Sequence, residues 1–405
     1  MFHDTDEDAM RLGLYIFLLL LSPPLLAAGT LREAIERAWE RQPAAQAKPA
    51  RVEEFTAKQE AARAAFPEPP SLRLGNRNDR LNRNEGVREW EAEIALPLWL
   101  PGERDRQSAI VNAERDQYDT GLTAAKLKIA GEVRDAYWQA RLAENELALA
   151  RRKVQEAVVL AADVERRVKA GDLARVDLNH AQAAERLARA ALAEAEIKAF
   201  RAMQGFSVLT GLSVLPSGEE PPHAQATLLD DHPLLAPLQR AVATHQAKLN
   251  QATQNLRNNP ELELGVRRER NTFDDAYANS LQLRLRLPFA TDARNKPRIA
   301  AANAELIEAH TVYSLERAKV AAEAESARRE LEQARTVSGL TEARFTLAAD
   351  TQRLLARAFT LGELDLIARL RAENERFEAE LQFTRAKLEA ARAISRLNQA
   401  LGVLP

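Results

Sequence analysis

The segment "EAEIALPLWLPGERDRQSA", Glu91–Ala109, changes its hydrophobic pattern at two prolines. Before them, apolar and charged residues alternate, which predicts a β-strand with two different faces. Pro97 predicts the end of sheet pairing, and Pro101 suits a helix start, where no backbone hydrogen bond is lost. The apolar face of the predicted strand consists of Trp90, Ala92, Ile94 and Leu96, and its charged face of Glu91 and Glu93.

A second segment, "LQLRLRLPFATDARNKPRIAA" at Leu281–Ala301, repeats this change of period. Other short stretches recur at offsets of 189 to 191 residues: "PSLRLG" as "PELELG", and "LSVLP" as "LGVLP". Such spacing predicts a tandem duplication, with repeats at 29–216 and 233–405 and a linker at 217–232. The apolar face of the second strand consists of Leu281, Leu283, Leu285 and Leu287, and its charged face of Gln282, Arg284 and Arg286.

Each repeat is predicted to contain an opening helix, a β-hairpin and a long helical hairpin. Thr30 is a suitable N-cap for the helix "LREAIERAWERQP". Beyond each hairpin, apolar residues recur at spacings of three and four, which is typical of a coiled-coil seam. Gly171 and Gly362 interrupt these stretches, and glycine there favours a turn between two helices. The linker is rich in proline and charge, so we expect it to be exposed.

The composition excludes several classes of function. The chain of 405 residues has 57 basic and 59 acidic side chains, so there is no basic surplus for nucleic acid. It has no cysteine, which excludes disulfides and thiolate chemistry. No phosphate-binding loop, nucleophile motif or paired-histidine zinc motif occurs, so we expect no catalytic residues, no cofactor and no enzyme activity. No metal site is predicted, because the histidines lack ligand spacing: His180, His223, His232, His245 and His310.

The N-terminal stretch "LGLYIFLLLLSPPLLAAG" is apolar, short and interrupted by prolines. Small residues follow it, which is typical of a signal peptide at residues 1–28. The acidic residues before it do not suit such a signal, whereas a start at Met10 would supply the expected basic residue. An N-terminal membrane anchor is the alternative, and both interpretations take the chain out of the cytoplasm.

Strands with one apolar and one charged face are more often half-buried sheets of soluble proteins. Together with the predicted signal peptide, the long helices and the duplication, however, they favour a membrane pore. Hydrocarbon tolerates no unpaired backbone, so a sheet whose apolar face meets lipid must close on itself. Four strands are too few, whereas three chains together would supply about twelve. Trp99 and Phe289 would then belong to an interfacial aromatic girdle. The predicted lumen charges are Glu91, Glu93, Arg284 and Arg286, and the predicted lipid-facing residues are Trp90, Ile94, Leu96, Leu281, Leu283, Leu285 and Leu287.

Two alternatives remain open at this point. A half-buried sheet in a soluble protein would show the same alternation. A secreted or periplasmic coiled-coil protein, structural or adaptor, would share the long helices and the signal. A rod does not need the strands, however, and an adaptor would carry one helical hairpin instead of two repeats.

Taken in order, several motifs resemble those of the TolC-like outer-membrane efflux proteins, and within them the heavy-metal-efflux branch typified by CzcC. They are "LREAIERAWERQP", "IALPLWLPGERDRQSA", "LRLPFATDARNKPRIAAANAEL", "AGDLARVDL", "LGELDLIARL", "LTGLSVLP" and "LNQALGVLP". The resemblance covers almost all of the chain after the signal. It implies a mostly α fold with a β-barrel segment: a homotrimer with a twelve-stranded barrel in outer-membrane lipid, continued by a periplasmic α-helical barrel.

The resemblance also implies a passive conduit for heavy-metal cations or drugs. It would dock on a periplasmic adaptor protein and, through it, on an inner-membrane pump of the RND type. In the family the glycine-plus-leucine turns contact the adaptor. By position, these turns correspond here to Gly171, Asp172, Leu173, Asp177, Gly362, Glu363 and Leu364.

One family feature is missing from this sequence. The best-known members place aspartates six and nine residues after the second turn glycine, where charged rings narrow the tunnel entrance. Ala368 and Arg371 occupy those positions here, so that gate cannot be transferred. Asp365, Glu363 and Glu373 lie nearby and could supply charge, which leaves the sign of any selectivity open.

Overall fold

A computed structural model of the protein describes residues 29–218, 220–223 and 229–405. The predicted signal peptide at 1–28 and part of the predicted linker lie outside the described residues. The helices are α1 (Leu31–Glu40), α2 (Pro43–Arg63), α3 (Glu103–Ala170), α4 (Arg175–Thr210), α5 (Ala236–Gln254), α6 (Asp292–Thr360) and α7 (Leu366–Ala400). The strands are β1 (Ser71–Asn78), β2 (Arg88–Pro97), β3 (Glu261–Arg270) and β4 (Ala278–Arg286), and a short 3₁₀ helix spans Leu229–Asp231.

The chain divides into two compact units. The sheet unit comprises Gln42–Leu127 and Thr227–Glu323. The helical unit comprises the described parts of Met1–Arg41, Lys128–Ala226 and Ala324–Pro405. Each unit draws on both halves of the sequence, and α3 and α6 contribute residues to both units.

In the sheet unit the four strands form one antiparallel sheet in the order β1-β2-β3-β4. Its register aligns apolar residues across all four strands: Leu72 lies opposite Ile94, Ile94 opposite Leu264, and Leu264 opposite Leu283. Cross-strand pairs of this kind stabilise a sheet and fix its register. The predicted two faces are therefore faces of a single sheet, whose edge strands are β1 and β4.

The two hairpin tips of the sheet contact each other. Phe273 donates its backbone N–H to the carbonyl of Glu85 at 3.2 Å, and Arg270 donates Nε–H to the carbonyl of Gly86 at 3.2 Å. Gly86 has a φ of 109°, and a Cβ there would lie 2.3 Å from the Phe273 nitrogen. Only glycine fits this position, because a side chain would meet backbone atoms.

At the opposite end of the sheet the chain passes from strand to helix as predicted. β2 ends at Pro97, and Leu98 donates one further hydrogen bond to the carbonyl of Pro260 at 2.7 Å. Gly102 then adopts a φ of 70°, immediately before α3 begins at Glu103. Trp99 lies at this junction and donates its indole N–H to the carbonyl of Ala64 at 3.0 Å.

The sequence analysis did not predict α2, which begins at Pro43 and contains Pro49. Few residues of this helix are buried, so its sequence shows no clear apolar stripe. Phe55 is buried and packs against Tyr118 of α3, with ring centroids 5.5 Å apart. Packing within the sheet unit therefore overrides a weak local pattern. In α1, by contrast, the Thr30 hydroxyl accepts from the Glu33 N–H at 3.3 Å, as the predicted N-cap requires.

The helical unit is built on a core that includes Ile35, Val133, Trp138 and Phe206. Beside this core, Arg134 is almost fully buried and binds Glu220 through Nη2 at 2.8 Å. Arg134 also donates to the carbonyl of Val403 at 3.0 Å. One arginine of α3 thus holds both a linker residue and the C-terminal segment.

Most described positions of the linker are exposed, as expected, among them Gly218, Pro221 and His223, but the expectation was wrong at two others. The side chain of Glu220 is only 7% exposed where it pairs with Arg134, and His232 is buried. Backbone groups of the linker are also bonded: Tyr137 donates to the carbonyl of Gly218 at 3.2 Å, and Asn398 to that of Pro221 at 3.0 Å. The linker lacks an apolar pattern because hydrogen bonds, which leave no periodic signal, attach it to the helices.

Replacing Arg134 by alanine should lower the free energy of unfolding by about 3–5 kcal/mol, because Glu220 would keep a buried charge without its partner. Arg189→Ala is the matched control. Arg189 is 62% exposed and pairs with Glu185 on the surface of α4, so its loss should cost less than about 1 kcal/mol. Denaturant titration of the purified protein measures both values. Equal losses would contradict the role assigned to Arg134.

Candidate functional site

One face of the sheet is apolar and exposed, which is unusual for a folded chain. Trp90, for example, is 59% exposed and Leu283 is 68% exposed. The structure places the predicted lipid-facing residues together at this face, although Leu96 is half-buried and Leu287 follows the end of β4. The exposed members of the apolar face are Leu72, Leu74, Trp90, Ile94, Leu264, Val266, Leu281, Leu283 and Leu285. An apolar surface of this extent indicates contact with lipid or with another protein.

The other face carries a network of ion pairs. Arg284 of β4 contacts Glu91 at 2.8 Å and Glu93 at 3.4 Å, so the structure brings together three of the four predicted lumen charges. The fourth, Arg286, pairs instead with Glu261 at 3.4 Å. Each charge is therefore neutralised by a cross-strand neighbour.

Two members of this network were missed as site residues. Arg73 binds Glu93 at 3.1 Å, and Glu263 lies 3.6 Å from Arg284. Both carboxylates are buried, Glu93 at 2% and Glu263 at 7% exposure. The alternation of the first strands places Arg73 and Glu263 on the charged face, but their proximity depends on a register that the sequence does not reveal.

The two predicted turns have the same backbone geometry. At the end of α3, Gly171 donates to the carbonyl of Val168 at 3.1 Å and Asp172 to that of Arg167 at 2.9 Å. At the end of α6, Gly362 and Glu363 make the equivalent bonds to the carbonyls of Phe359 and Ala358, at 3.1 and 3.0 Å. Both glycines have positive φ, 87° and 77°. This pattern is a Schellman motif, which ends a helix with a left-handed residue.

One hydrophobic cluster brings the two turns together. Leu173 and Leu364, which follow the turn glycines, both pack on this cluster, which includes Leu160, Val164 and Phe359. The side chains of Asp172 and Glu363 are both exposed. The two turns therefore present a paired tip with apolar support and acidic exposed positions.

Several charged residues near the tip have structural partners. Asp177 accepts from the Ala174 N–H at 3.0 Å, so it caps α4, and Asp365 accepts from the Ala368 N–H at 2.8 Å, so it caps α7. Glu373 binds Arg369 at 3.1 Å. Burial raises the pKa of the Glu373 carboxyl, and this effect exceeds the opposing influence of Arg369.

The described residues contain no group of three or more histidine, aspartate or glutamate side chains placed to hold a metal ion. In the same part of the chain, no helix combines the length and the apolar character needed to cross a membrane.

Comparison with known proteins connects this geometry to a family. The sequence profile of the family described as Outer membrane efflux protein matches residues 34–212. The matched range covers less than half of the chain, so it shows a likeness to this family over residues 34–212. No curated protein matches the sequence.

Solved structures extend the likeness to nearly the whole chain. The Vibrio cholerae outer membrane protein VceC is 15% identical, with a TM-score of 0.76 over 93% of this chain and 97% of its own. CusC, described for its transmembrane channel formation, is 17% identical, with a TM-score of 0.73 over 92% of both chains. The open-state outer membrane channel MtrE of Neisseria gonorrhoeae is 19% identical, with a TM-score of 0.71 over 92% and 89%. At these identities the likeness shows an efflux-protein fold, and it does not single out a heavy-metal branch.

The role of the turn glycine Gly362 can be tested directly. A Cβ on Gly362 would meet open space, so Gly362→Ala should destabilise the protein by about 1–2 kcal/mol through backbone strain alone. Gly339→Ala is the control, because Gly339 lies within α6, also beside open space. It should stabilise the helix by about 0.5–1 kcal/mol. Thermal unfolding in detergent measures the change in stability of both variants. Changes of the same sign would contradict the role of the left-handed conformation at Gly362.

Proposed function

We propose that this protein is the outer-membrane channel of a tripartite efflux system, a passive conduit formed by three copies of the chain. The observation that carries the proposal is the sheet with one exposed apolar face and one charged face. Channels of the family are trimeric and work with adaptors and inner-membrane pumps. A coiled-coil structural protein would have no need for such a sheet.

Closure of the sheet requires several chains. β1 and β4 are edge strands, and an edge facing hydrocarbon would leave backbone groups without partners. Pairing β4 of one copy with β1 of the next would satisfy both edges. Three copies give about twelve strands, within the range of outer-membrane barrels, with the apolar face toward lipid and the charged face toward the lumen.

The charged face of the sheet gives the proposed lumen little selectivity between cations and anions, because its charges neutralise one another. Arg73 and Arg284 neutralise the buried pair of Glu93 and Glu263, so no uncompensated ring of one sign arises at this level. The pump would then select the exported compound, either heavy-metal cations or drugs. Energy would also come from the pump, because no catalytic site is proposed for this chain.

The paired tip at Gly171 and Gly362 is the proposed adaptor-docking site. Leu173 and Leu364 hold the turns on a common cluster, which presents exposed acidic residues in a fixed arrangement. Among the predicted docking residues, the leucines therefore support the turns, and the exposed acidic side chains are the ones available to contact the adaptor. Asp177, by contrast, acts on the adaptor only through the helix that it caps.

Placement of the sheet in lipid can be tested by substituting arginine at two neighbouring positions of β4. Leu283→Arg puts a charge on the apolar face, which costs about 2–4 kcal/mol near the bilayer centre and should reduce assembled channel in the outer-membrane fraction. Gln282→Arg adds the same side chain to the charged face, where it removes the hydrogen bond that Gln282 accepts from Arg284 at 2.8 Å, and it should be tolerated better than Leu283→Arg. Fractionation and unheated gel electrophoresis measure both. Equal tolerance would exclude lipid contact at Leu283.

The docking tip can be tested by reversing its exposed charge. Glu363→Lys should abolish chemical cross-linking to a periplasmic adaptor while leaving outer-membrane assembly unchanged, because its side chain is exposed. Glu342→Lys, an exposed position within α6, is the control and should retain the cross-link. Docking at the tip is refuted if both variants cross-link as well as the natural protein.

A further inference from the structure

An unneutralised group of arginines lies on the apolar side of the sheet, near the hairpin tips. Arg88 lies directly opposite Arg270, and Trp90 lies opposite Arg268. Because residues two apart share a face, all three arginines lie on the same face as the exposed Trp90 and Val266. We call Arg88, Arg268 and Arg270 the arginine face.

The acidic residues of these rows lie on the other side of the sheet. Glu89 binds Arg267 at 2.8 Å, and Glu269 binds the same guanidinium at 2.8 Å. In the described part of the chain, no ion pair involves a residue of the arginine face. Like charges directly opposite on adjacent strands are destabilising, so the facing pair Arg88 and Arg270 needs an anion that the described residues do not provide.

Aromatic rings hold two of these guanidinium groups in place. Arg268 lies 4.6 Å from the ring centroid of Tyr277, while Arg270 lies 5.0 Å from Tyr277 and 5.5 Å from Phe273. Cation–π contacts occupy the flat face of a guanidinium and leave its N–H edges available for an acceptor. Exposed aromatic residues are also typical of the level where lipid headgroups lie.

We propose that the arginine face binds the phosphate groups of lipids in the outer leaflet of the outer membrane. The inference rests on the proposed function, since it requires the apolar face to contact lipid with the hairpin tips directed outward. The helices follow the opposite end of the sheet, and the family's helical tunnel is periplasmic, so the hairpin tips lie toward the outer leaflet. Guanidinium groups bind phosphate through paired hydrogen bonds, and the phosphorylated glycolipid of that leaflet supplies the required anion.

The test compares two double variants that each remove two positive charges. R88Q/R268Q acts on the arginine face and leaves Arg270, which binds the Gly86 carbonyl, in place. R80Q/R83Q acts on exposed arginines of the first hairpin loop and serves as the control. Both variants and the natural protein are first inserted into phosphatidylcholine vesicles. If the natural protein fails to insert, the proposed channel is wrong, and with it the placement on which this inference depends.

Native mass spectrometry of the inserted proteins, extracted in mild detergent, then measures binding of lipid A and of dephosphorylated lipid A. The natural protein and the control should prefer the phosphorylated form, whereas R88Q/R268Q should bind it about tenfold to thirtyfold more weakly. A preference that is absent from the natural protein, or retained in R88Q/R268Q, would overturn the inference. Loss of the preference in millimolar inorganic phosphate would overturn the assignment to lipid.

Discussion

Backbone hydrogen bonding at the two sheet edges is the constraint on which the proposed assembly depends. One chain supplies four strands, with β1 and β4 at the edges. In water such edges could be solvated, but the exposed apolar face makes water an unfavourable surrounding for this sheet. In lipid each unpaired N–H or carbonyl costs several kcal/mol, so burial of the apolar face and closure of the edges depend on each other.

The same constraint gives a reason for the charged face. A closed barrel of about twelve strands leaves space inside for water and for charged side chains. Glu93 and Glu263 are buried already in the single chain, because arginines from β1 and β4 extend over them. The network therefore links the edge strands to the centre of the sheet through side chains as well as through backbone hydrogen bonds.

Periodicity predicted most of the local structure, because alternation and the three-four pattern report which face of an element is apolar. It predicted the change from β2 to α3 at Pro97 and Pro101, and the helix ends at Gly171 and Gly362. It missed α2, where Phe55 is one of few buried residues, and it missed the burial of Glu220. Neither feature follows from a repeating pattern, because both involve contacts between residues far apart in the sequence, such as Phe55 with Tyr118 and Glu220 with Arg134.

The residues of the candidate site show the same difference between features that follow from periodicity and features that follow from long-range contacts. The faces of Glu91, Glu93 and Arg284 follow from alternation, whereas the contacts of Arg73 and Glu263 follow from strand register. The two turns proposed for docking could be located from glycine and leucine, but their meeting on one hydrophobic cluster required the packing of α3, α4, α6 and α7. The arginine face was not predicted, since Arg88 and Arg270 become neighbours only when β2 pairs with β3.

The central claim is that one sheet is incomplete and that three chains close it. The most direct measurement is the protein mass of the particle extracted from the outer membrane in mild detergent, determined by sedimentation velocity with correction for bound detergent. We expect a particle of three chains with no smaller folded species. A stable, folded single chain of 45.0 kDa or less would contradict it.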